Sequence, residues 1–243
     1  AFSAPFSHQA IDFLESIGCP RYKIASFELT DLPLIRAVAH TRKPMILSTG
    51  MATVKEIAEA VTSARAHGCK DLTLLQCVSG YPTPPEEMNL ATLRDMRSRF
   101  ACKVGVSDHT LGIGVAVAAA TLGADMIEKH LTLSRTDGGP DSEFSMEPEE
   151  FAQMVSAVKT AVAAIGTVSY GPTPAEMPQL QLRRSLYFAN DLKLGDKIKL
   201  SDVKTARPCL GLAPRDLNQV VGKHVRREVA AGEPVKWEAI EWA

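Results

Sequence analysis

The sequence predicts an α/β fold in which a parallel TIM (β/α)8 barrel, lacking its first two βα units, precedes a small β-rich module. Three observations predict it. Short apolar runs alternate with longer amphipathic stretches up to about residue 165. Two histidines, His109 and His130, stand at matching places at the ends of consecutive apolar runs. A break with Gly171, Pro172, Pro174 and Pro178 then separates this part from the remainder.

The apolar runs at 1–4, 22–26, 45–48, 72–77, 103–106 and 126–128 read as strands. Between them 8–17, 31–40, 54–67, 89–100 and 112–122 carry the spacing of amphipathic helices, several closed by a glycine, as at Gly18, Gly68 and Gly123. This is a βα rhythm, and a parallel sheet is its usual product. Each unit takes roughly 28 residues, and an eight-unit barrel typically needs about 250. Six units are therefore visible, and the chain, which opens inside a candidate strand without methionine, reads as a barrel short of two units. The alternative is an open doubly wound sheet. The expected organisation is a partial barrel at 1–166, a linker at 167–183 and a β-rich module at 184–243. In that module 185–188, 203–206 and 235–237 are β-like, and 217–220 is helical.

With 243 residues and 45% hydrophobic composition the chain can bury a sizeable core. Lys plus Arg total 27 against 28 for Asp plus Glu, which gives no electrostatic reason to expect nucleic acid or an anionic membrane as partner. No apolar stretch reaches the length of a membrane helix and no basic start suggests a signal peptide. The five cysteines, Cys19, Cys69, Cys77, Cys102 and Cys209, never form C-x-x-C and sit mostly in apolar segments, as reduced thiols of a cytoplasmic protein would.

If the runs before His109 and His130 are neighbouring parallel strands, both imidazoles project from one rim, close enough to share a metal ion. A lone histidine at a strand end is ordinarily a satisfied rim or core residue; two at equivalent ends, flanked by Ser-Asp and Glu-Lys, shift the balance toward a site. Lys23, Ser26, Ser48, Ser79 and Ser107 lie at or just beyond the ends of their own strands, on the rim where barrel enzymes place their chemistry. Singly each serine is a turn former; five residues in register argue against that reading.

Several strings now resemble one family. Tyr22-Lys23-Ile24-Ala25-Ser26-Phe27-Glu28, Leu47-Ser48-Thr49-Gly50-Met51, Ser79-Gly80-Tyr81-Pro82, Gly105-Val106-Ser107-Asp108-His109-Thr110 and Ile127-Glu128-Lys129-His130 resemble the sialic acid synthase family. Arg184-Ser185-Leu186-Tyr187, Ala206-Arg207-Pro208 and Val221-Gly222-Lys223 resemble its C-terminal antifreeze-like (SAF) domain. The wording is most similar to the pseudaminic acid branch; N-acetylneuraminate and legionaminic acid synthases are the alternatives within the family.

The resemblance implies condensation of phosphoenolpyruvate with the open-chain aldehyde of an N-acetylated amino sugar, giving a nonulosonic acid and phosphate. It implies His109 and His130 as ligands of a divalent ion, Mn²⁺ first, with Mg²⁺ or Co²⁺ as alternatives. It implies contacts to phosphate and carboxylate from Lys23, Ser26, Ser48, Ser79 and Ser107. Glu28 is implied beside the reacting carbon, where a helix cap is its ordinary alternative, and Glu128 as orienting a ligand or the sugar. Lys129, alternating with Glu128 and His130, is expected to point away. Tyr81 and Asp141 are implied to hold the sugar. Arg207 is implied to reach across a domain-swapped homodimer to the N-acetyl group.

Two departures stand out. Ser3-Ala4-Pro5-Phe6 replaces the family's Ser-Thr-Pro-Phe, and the family's early glutamate, lysine and asparagine have no counterpart in this sequence. A chain without them is expected to be inactive on its own. Two other classes of function stay open: a catalytically dead sugar-phosphate-binding remnant, and an aldol-type lyase working through a Schiff base on Lys23.

Overall fold

The computed structural model describes residues 1–241, in two compact units, Ala1–Thr167 and Val168–Ala243. In the first, helices and strands alternate: α1 (His8–Ser16), β1 (Tyr22–Ile24), α2 (Leu32–His40), β2 (Met45–Ser48), α3 (Val54–Ala66), β3 (Leu72–Cys77), α4 (Thr92–Phe100), β4 (Lys103–Asp108), α5 (Gly114–Thr121), β5 (Met126–Lys129) and α6 (Pro148–Ile165). The strands form one parallel sheet in sequence order, the curled half-barrel that the βα rhythm predicts.

One expected strand is absent. Residues 1–4 contribute a single parallel bridge, Ser3 to Tyr22, because Pro5 follows at once and a helix capped by Ser7 begins two residues later. Ser26, expected on the end of β1, lies instead in a one-turn 3-10 helix, Ser26–Glu28.

The sheet reads as near-continuous apolar runs because helices cover it. Ile24, Leu47, Leu74 and Val106 are fully buried in one cluster with Ile35, Val38, Ala60 and Ala119 of the helices. Local signals fix where the helices start: Asp31 accepts from Leu34 N at 3.0 Å, and Thr53 and Glu56 form a reciprocal capping box. Such caps contribute about 1 kcal/mol each. Because β1 to β4 are anchored this way at their buried middles and β5 pairs in parallel with β4, all the C-terminal ends reach one rim.

The second unit is built on an antiparallel pair, β6 (Ser185–Phe188) and β7 (Val203–Ala206), with one short helix, α7 (Leu217–Val220). Leu186, Phe188, Ile198, Val220, Val225, Val235 and Ile240 form its core. The third expected β-piece is cut short: Val235 N donates to Leu186 O, but Trp237–Ala239 turns into a 3-10 helix. The stretch read as a linker also carries a 3-10 helix, Met177–Leu182, whose Gln181 carbonyl accepts from Cys209 N, so its end is tied to the second unit.

Candidate active site

The C-terminal ends of β1 to β5 bring the rim residues together. Ser107 Oγ donates to Glu128 Oε1 at 2.7 Å, and Lys23 Nζ lies 3.4 Å from the same oxygen, so β4 and β5 share one polar cluster with β1 from the opposite edge of the curled sheet. Lys23 is 9% exposed, and such a buried ammonium is held here by a carboxylate on a different strand.

Beside this cluster Ser26 Oγ accepts from Gly50 N at 3.1 Å and donates to Cys77 Sγ at 3.4 Å. Gly50 has no room for a side chain: a Cβ would stand 2.4 Å from Ser79 Oγ and 2.8 Å from Ser26 Oγ. The glycine thus leaves a cradle between two serine hydroxyls. Glu28 Oε2, Ser48 Oγ and Ser79 Oγ are buried here without a hydrogen-bond partner. Such orphaned atoms are costly in a folded protein, about 1–3 kcal/mol each, unless a ligand or water completes them.

His109 and His130 follow β4 and β5 directly, and their ring centroids are 5.2 Å apart at 69°. His109 Nδ1 lies 2.8 Å from the Val78 carbonyl oxygen. A carbonyl only accepts, so Nδ1 carries the proton and Nε2 keeps its lone pair. Asp141 Oδ2 stands 3.6 Å from His130 Nδ1 and biases that ring the same way. Tyr81 stacks obliquely on His109, 4.4 Å between centroids, and Phe144 stands 5.1 Å from His130, which encloses the pair in aromatic rings.

The electrostatics of the two histidines differ. Burial opposes a charge on His109, but the Cys77 sulfur and the Val78 carbonyl outweigh it and raise its pKa above the ordinary value. Burial lowers that of His130, and the neighbouring His109 lowers it further, against the pull of Asp141 and Glu128. Burial, ahead of the other causes, raises the Tyr81 phenol, so it remains a neutral donor at physiological pH.

Among the described residues no group of three or more His, Cys, Asp or Glu gathers in metal-holding geometry. Arg207 lies in the second unit, exposed, immediately after β7. Pro208 O, next in the chain, accepts from Ser185 Oγ at 3.0 Å and from Tyr187 Oη at 2.7 Å, which fixes the loop that carries the arginine.

Residues 1–170 match the NeuB family, and residues 183–241 match the SAF domain. The chain belongs to the NeuB family. Its relatives include a pseudaminic acid synthase of Helicobacter pylori, 41% identical over 99% of this chain and 71% of that protein. An N,N'-diacetyllegionaminic acid synthase of Legionella pneumophila is 36% identical over 98% of this chain and 68% of its own length. Among solved structures, the spore coat polysaccharide biosynthesis protein spsE of Bacillus subtilis superposes with a TM-score of 0.66 at 28% identity, covering 100% of this chain and 73% of that one.

Against this NeuB frame the sequence reading missed four contributors. Gly50 was visible only as part of a string, because its role depends on serines that follow two other strands. Cys77 passed as a core thiol; it is buried, but its sulfur touches Ser26 and comes within 4.0 Å of His109. Phe144 sits in a loop with no periodicity to mark it. Asp108, next to His109, carries a buried ion pair with Lys129. Glu28 does not cap α2: Asp31 does, which leaves the Glu28 carboxyl free for the rim. No helix of the described residues is long and apolar enough to cross a membrane.

Proposed function

We propose that this chain joins phosphoenolpyruvate to the open-chain aldehyde of an N-acetylated amino sugar, releasing phosphate and forming a nonulosonic acid of the pseudaminic type. The observation that carries the reading is the set of buried, partnerless oxygens of Glu28, Ser48 and Ser79 beside the paired histidines. The two serine hydroxyls are free to donate to an anionic, oxygen-rich ligand, and the Glu28 carboxylate is free to accept from a water beside it.

In the reaction the methylene carbon of the enol attacks the aldehyde carbon, and the aldehyde oxygen becomes an alkoxide as the new C–C bond forms. Water then adds to the cationic carbon that bears the phosphate, the alkoxide takes up a proton, and the new hydroxyl loses its proton to the departing phosphate as the C–O bond breaks and the keto group forms. Lys23 and the hydroxyls of Ser26, Ser48, Ser79 and Ser107 bind the phosphate and carboxylate, the cradle at Gly50 giving the phosphate its seat. The Glu28 carboxylate takes the proton of the attacking water. Glu128 holds Lys23 and Ser107 in place through the contacts described above. Tyr81 and Asp141 bind hydroxyl and acetamido groups of the sugar.

A divalent ion fits the donor set, because His109 presents an unprotonated Nε2 and two protein ligands leave room for substrate. When bound, it supplies Lewis-acid stabilisation of the developing alkoxide; Mn²⁺ suits imidazole with oxygen ligands, with Mg²⁺ or Co²⁺ as alternatives. Arg207 belongs to the same proposal: from the second unit of a neighbouring copy in a homodimer it would bind the N-acetyl group, and its exposure and its pinned loop support that role. The neutral charge balance and the reduced thiols support a cytoplasmic setting.

The test is phosphate release by the full-length protein supplied with phosphoenolpyruvate, Mn²⁺ and, in turn, the precursors of pseudaminic, legionaminic and N-acetylneuraminic acid. Release that needs both metal and the pseudaminic precursor supports the proposal; preference for another precursor moves it within the family. Binding of phosphoenolpyruvate without release under any combination defeats it and leaves the inactive remnant. Trapping of substrate on Lys23 by borohydride, without metal, would instead establish the lyase.

A further inference from the structure

The residue before each histidine forms a buried ion pair. Asp108 and Lys129 are register partners on β4 and β5, the last pair of the ladder, and Lys129 Nζ lies 2.8 Å from Asp108 Oδ2. Their side chains are 0% and 2% exposed. Lys129 Nζ also donates to Thr110 O at 2.6 Å, while Asp108 Oδ1 accepts from Thr110 N at 2.9 Å and Thr110 Oγ1 at 2.7 Å. Lys129, the residue that precedes His130, is therefore bound to both neighbours of His109, the Asp108 carboxylate and the Thr110 carbonyl.

Burying two charges is unfavourable, and apolar residues of the same volume commonly serve stability as well or better. Alternation along a strand puts Asp108 and Lys129 on the face opposite the histidines, so they touch neither ring. Where the ladder ends, nothing in the sheet hydrogen bonding itself would hold the two chain ends in register. This pair does.

We propose that Asp108 and Lys129 are positioning residues that set the separation and tilt of the His109 and His130 imidazoles. The inference rests on the reading that these two rings share a divalent ion, and it concerns the rings' geometry whether or not that ion is bound.

The test uses the full-length protein with the double substitution Asp108→Asn and Lys129→Met. Asparagine keeps an acceptor for the Thr110 N–H, and methionine fills the space without a charge. The expected result is a thermal midpoint near that of the wild type, Mn²⁺ binding weakened about 10-fold or more by electron paramagnetic resonance, and shifted or doubled ring signals of both histidines in NMR spectra of the metal-free protein. Lys129→Met alone strands a buried carboxylate and lowers the midpoint by roughly 5 °C or more. Thr110→Val, which removes only the hydroxyl bond to Asp108, gives a milder second arm with about threefold weaker Mn²⁺ binding.

Wild-type Mn²⁺ affinity and wild-type ring spectra in the double variant overturn the proposal. Should that variant fail to fold, unchanged affinity and spectra in Thr110→Val overturn it equally. If the wild-type protein takes up no Mn²⁺, the metal reading falls, and the ring spectra alone decide the positioning role.

Discussion

At the rim of the first unit Glu28 Oε2, Ser48 Oγ and Ser79 Oγ are buried without partners, whereas among the described residues of the second unit no buried side-chain oxygen or nitrogen lacks a partner. There Ser185 Oγ donates to Pro208 O and accepts from Leu210 N and Gly211 N at 3.2 and 3.0 Å. Asp202 accepts from Lys199 N at 2.9 Å and from Asn190 Nδ2 at 3.0 Å. The contrast separates two uses of a buried polar group. One holds a backbone in place and is complete when folded; the other is incomplete until a ligand arrives. Substitutions in the first kind should register as stability, and those in the second as binding and turnover.

The largest expected effect lies at the histidines. His109→Ala or His130→Ala should lower the rate of phosphate release by about 10³-fold or more, since a Lewis acid is worth several kcal/mol, with little change in thermal midpoint. A fall in midpoint that accounts for the lost activity would erase the contrast.

Two glycines sharpen it. At Gly50 an added Cβ meets side-chain hydroxyls, whereas at Gly211 it would stand 2.4 Å from Leu186 O and 2.8 Å from Val235 O, both backbone. Gly211→Ala should therefore cost about 1–3 kcal/mol of stability or more, because backbone cannot step aside. Gly50→Ala should cost less stability than Gly211→Ala, because hydroxyls can rotate aside where backbone cannot, and should raise the KM for phosphoenolpyruvate about 10-fold by displacing the serines of the cradle. Trp237 lies in the second unit and no tryptophan occurs before it in the sequence, so tryptophan fluorescence in a urea titration reads Gly211→Ala while calorimetry reads the whole chain.

A serine pair gives a smaller and cleaner difference. Ser185→Ala strands two backbone N–H groups and should destabilise by about 1–3 kcal/mol. Ser79→Ala removes an unsatisfied hydroxyl and should be neutral or slightly stabilising, yet weaken phosphoenolpyruvate binding several-fold in calorimetry. Equal losses of stability in the two variants would contradict the distinction.

The smallest effect is a pH dependence. The Lys199 backbone N–H and then the Asn190 amide hold the Asp202 carboxyl below its ordinary pKa. A lowered value in the folded state means stability that is fully present above about pH 3.9, the unfolded value, and is lost as pH falls through the folded one. Asp202→Asn should flatten that acid limb of the tryptophan-detected stability curve. An unchanged limb would show that Asp202 does not supply it.

Much of this was legible in the sequence, for reasons that can be named. The strands of the first unit were readable because buried parallel strands are uniformly apolar, and His109 and His130 because their places within consecutive βα units match. Residues 1–4 were misread because apolar composition alone does not reveal that Pro5 and the Ser7 cap end the run. The role of Gly50 is set by serines 24 and 29 positions away along the chain, Ser26 and Ser79, and no local pattern carries that information. Lys129 was correctly placed on the face away from the site, but alternation could not show that its ammonium meets Asp108. In the second unit, short irregular β-pieces give weak periodicity, so the turn of 235–237 into a 3-10 helix was invisible.

The central claim is that two imidazoles from adjacent strand ends hold a single divalent ion at this rim. Titration of the full-length protein with Mn²⁺, followed by electron paramagnetic resonance, tests it most directly. The account predicts one tight site per chain, lost in His109→Ala and equally in His130→Ala; full Mn²⁺ uptake by either single variant would contradict it.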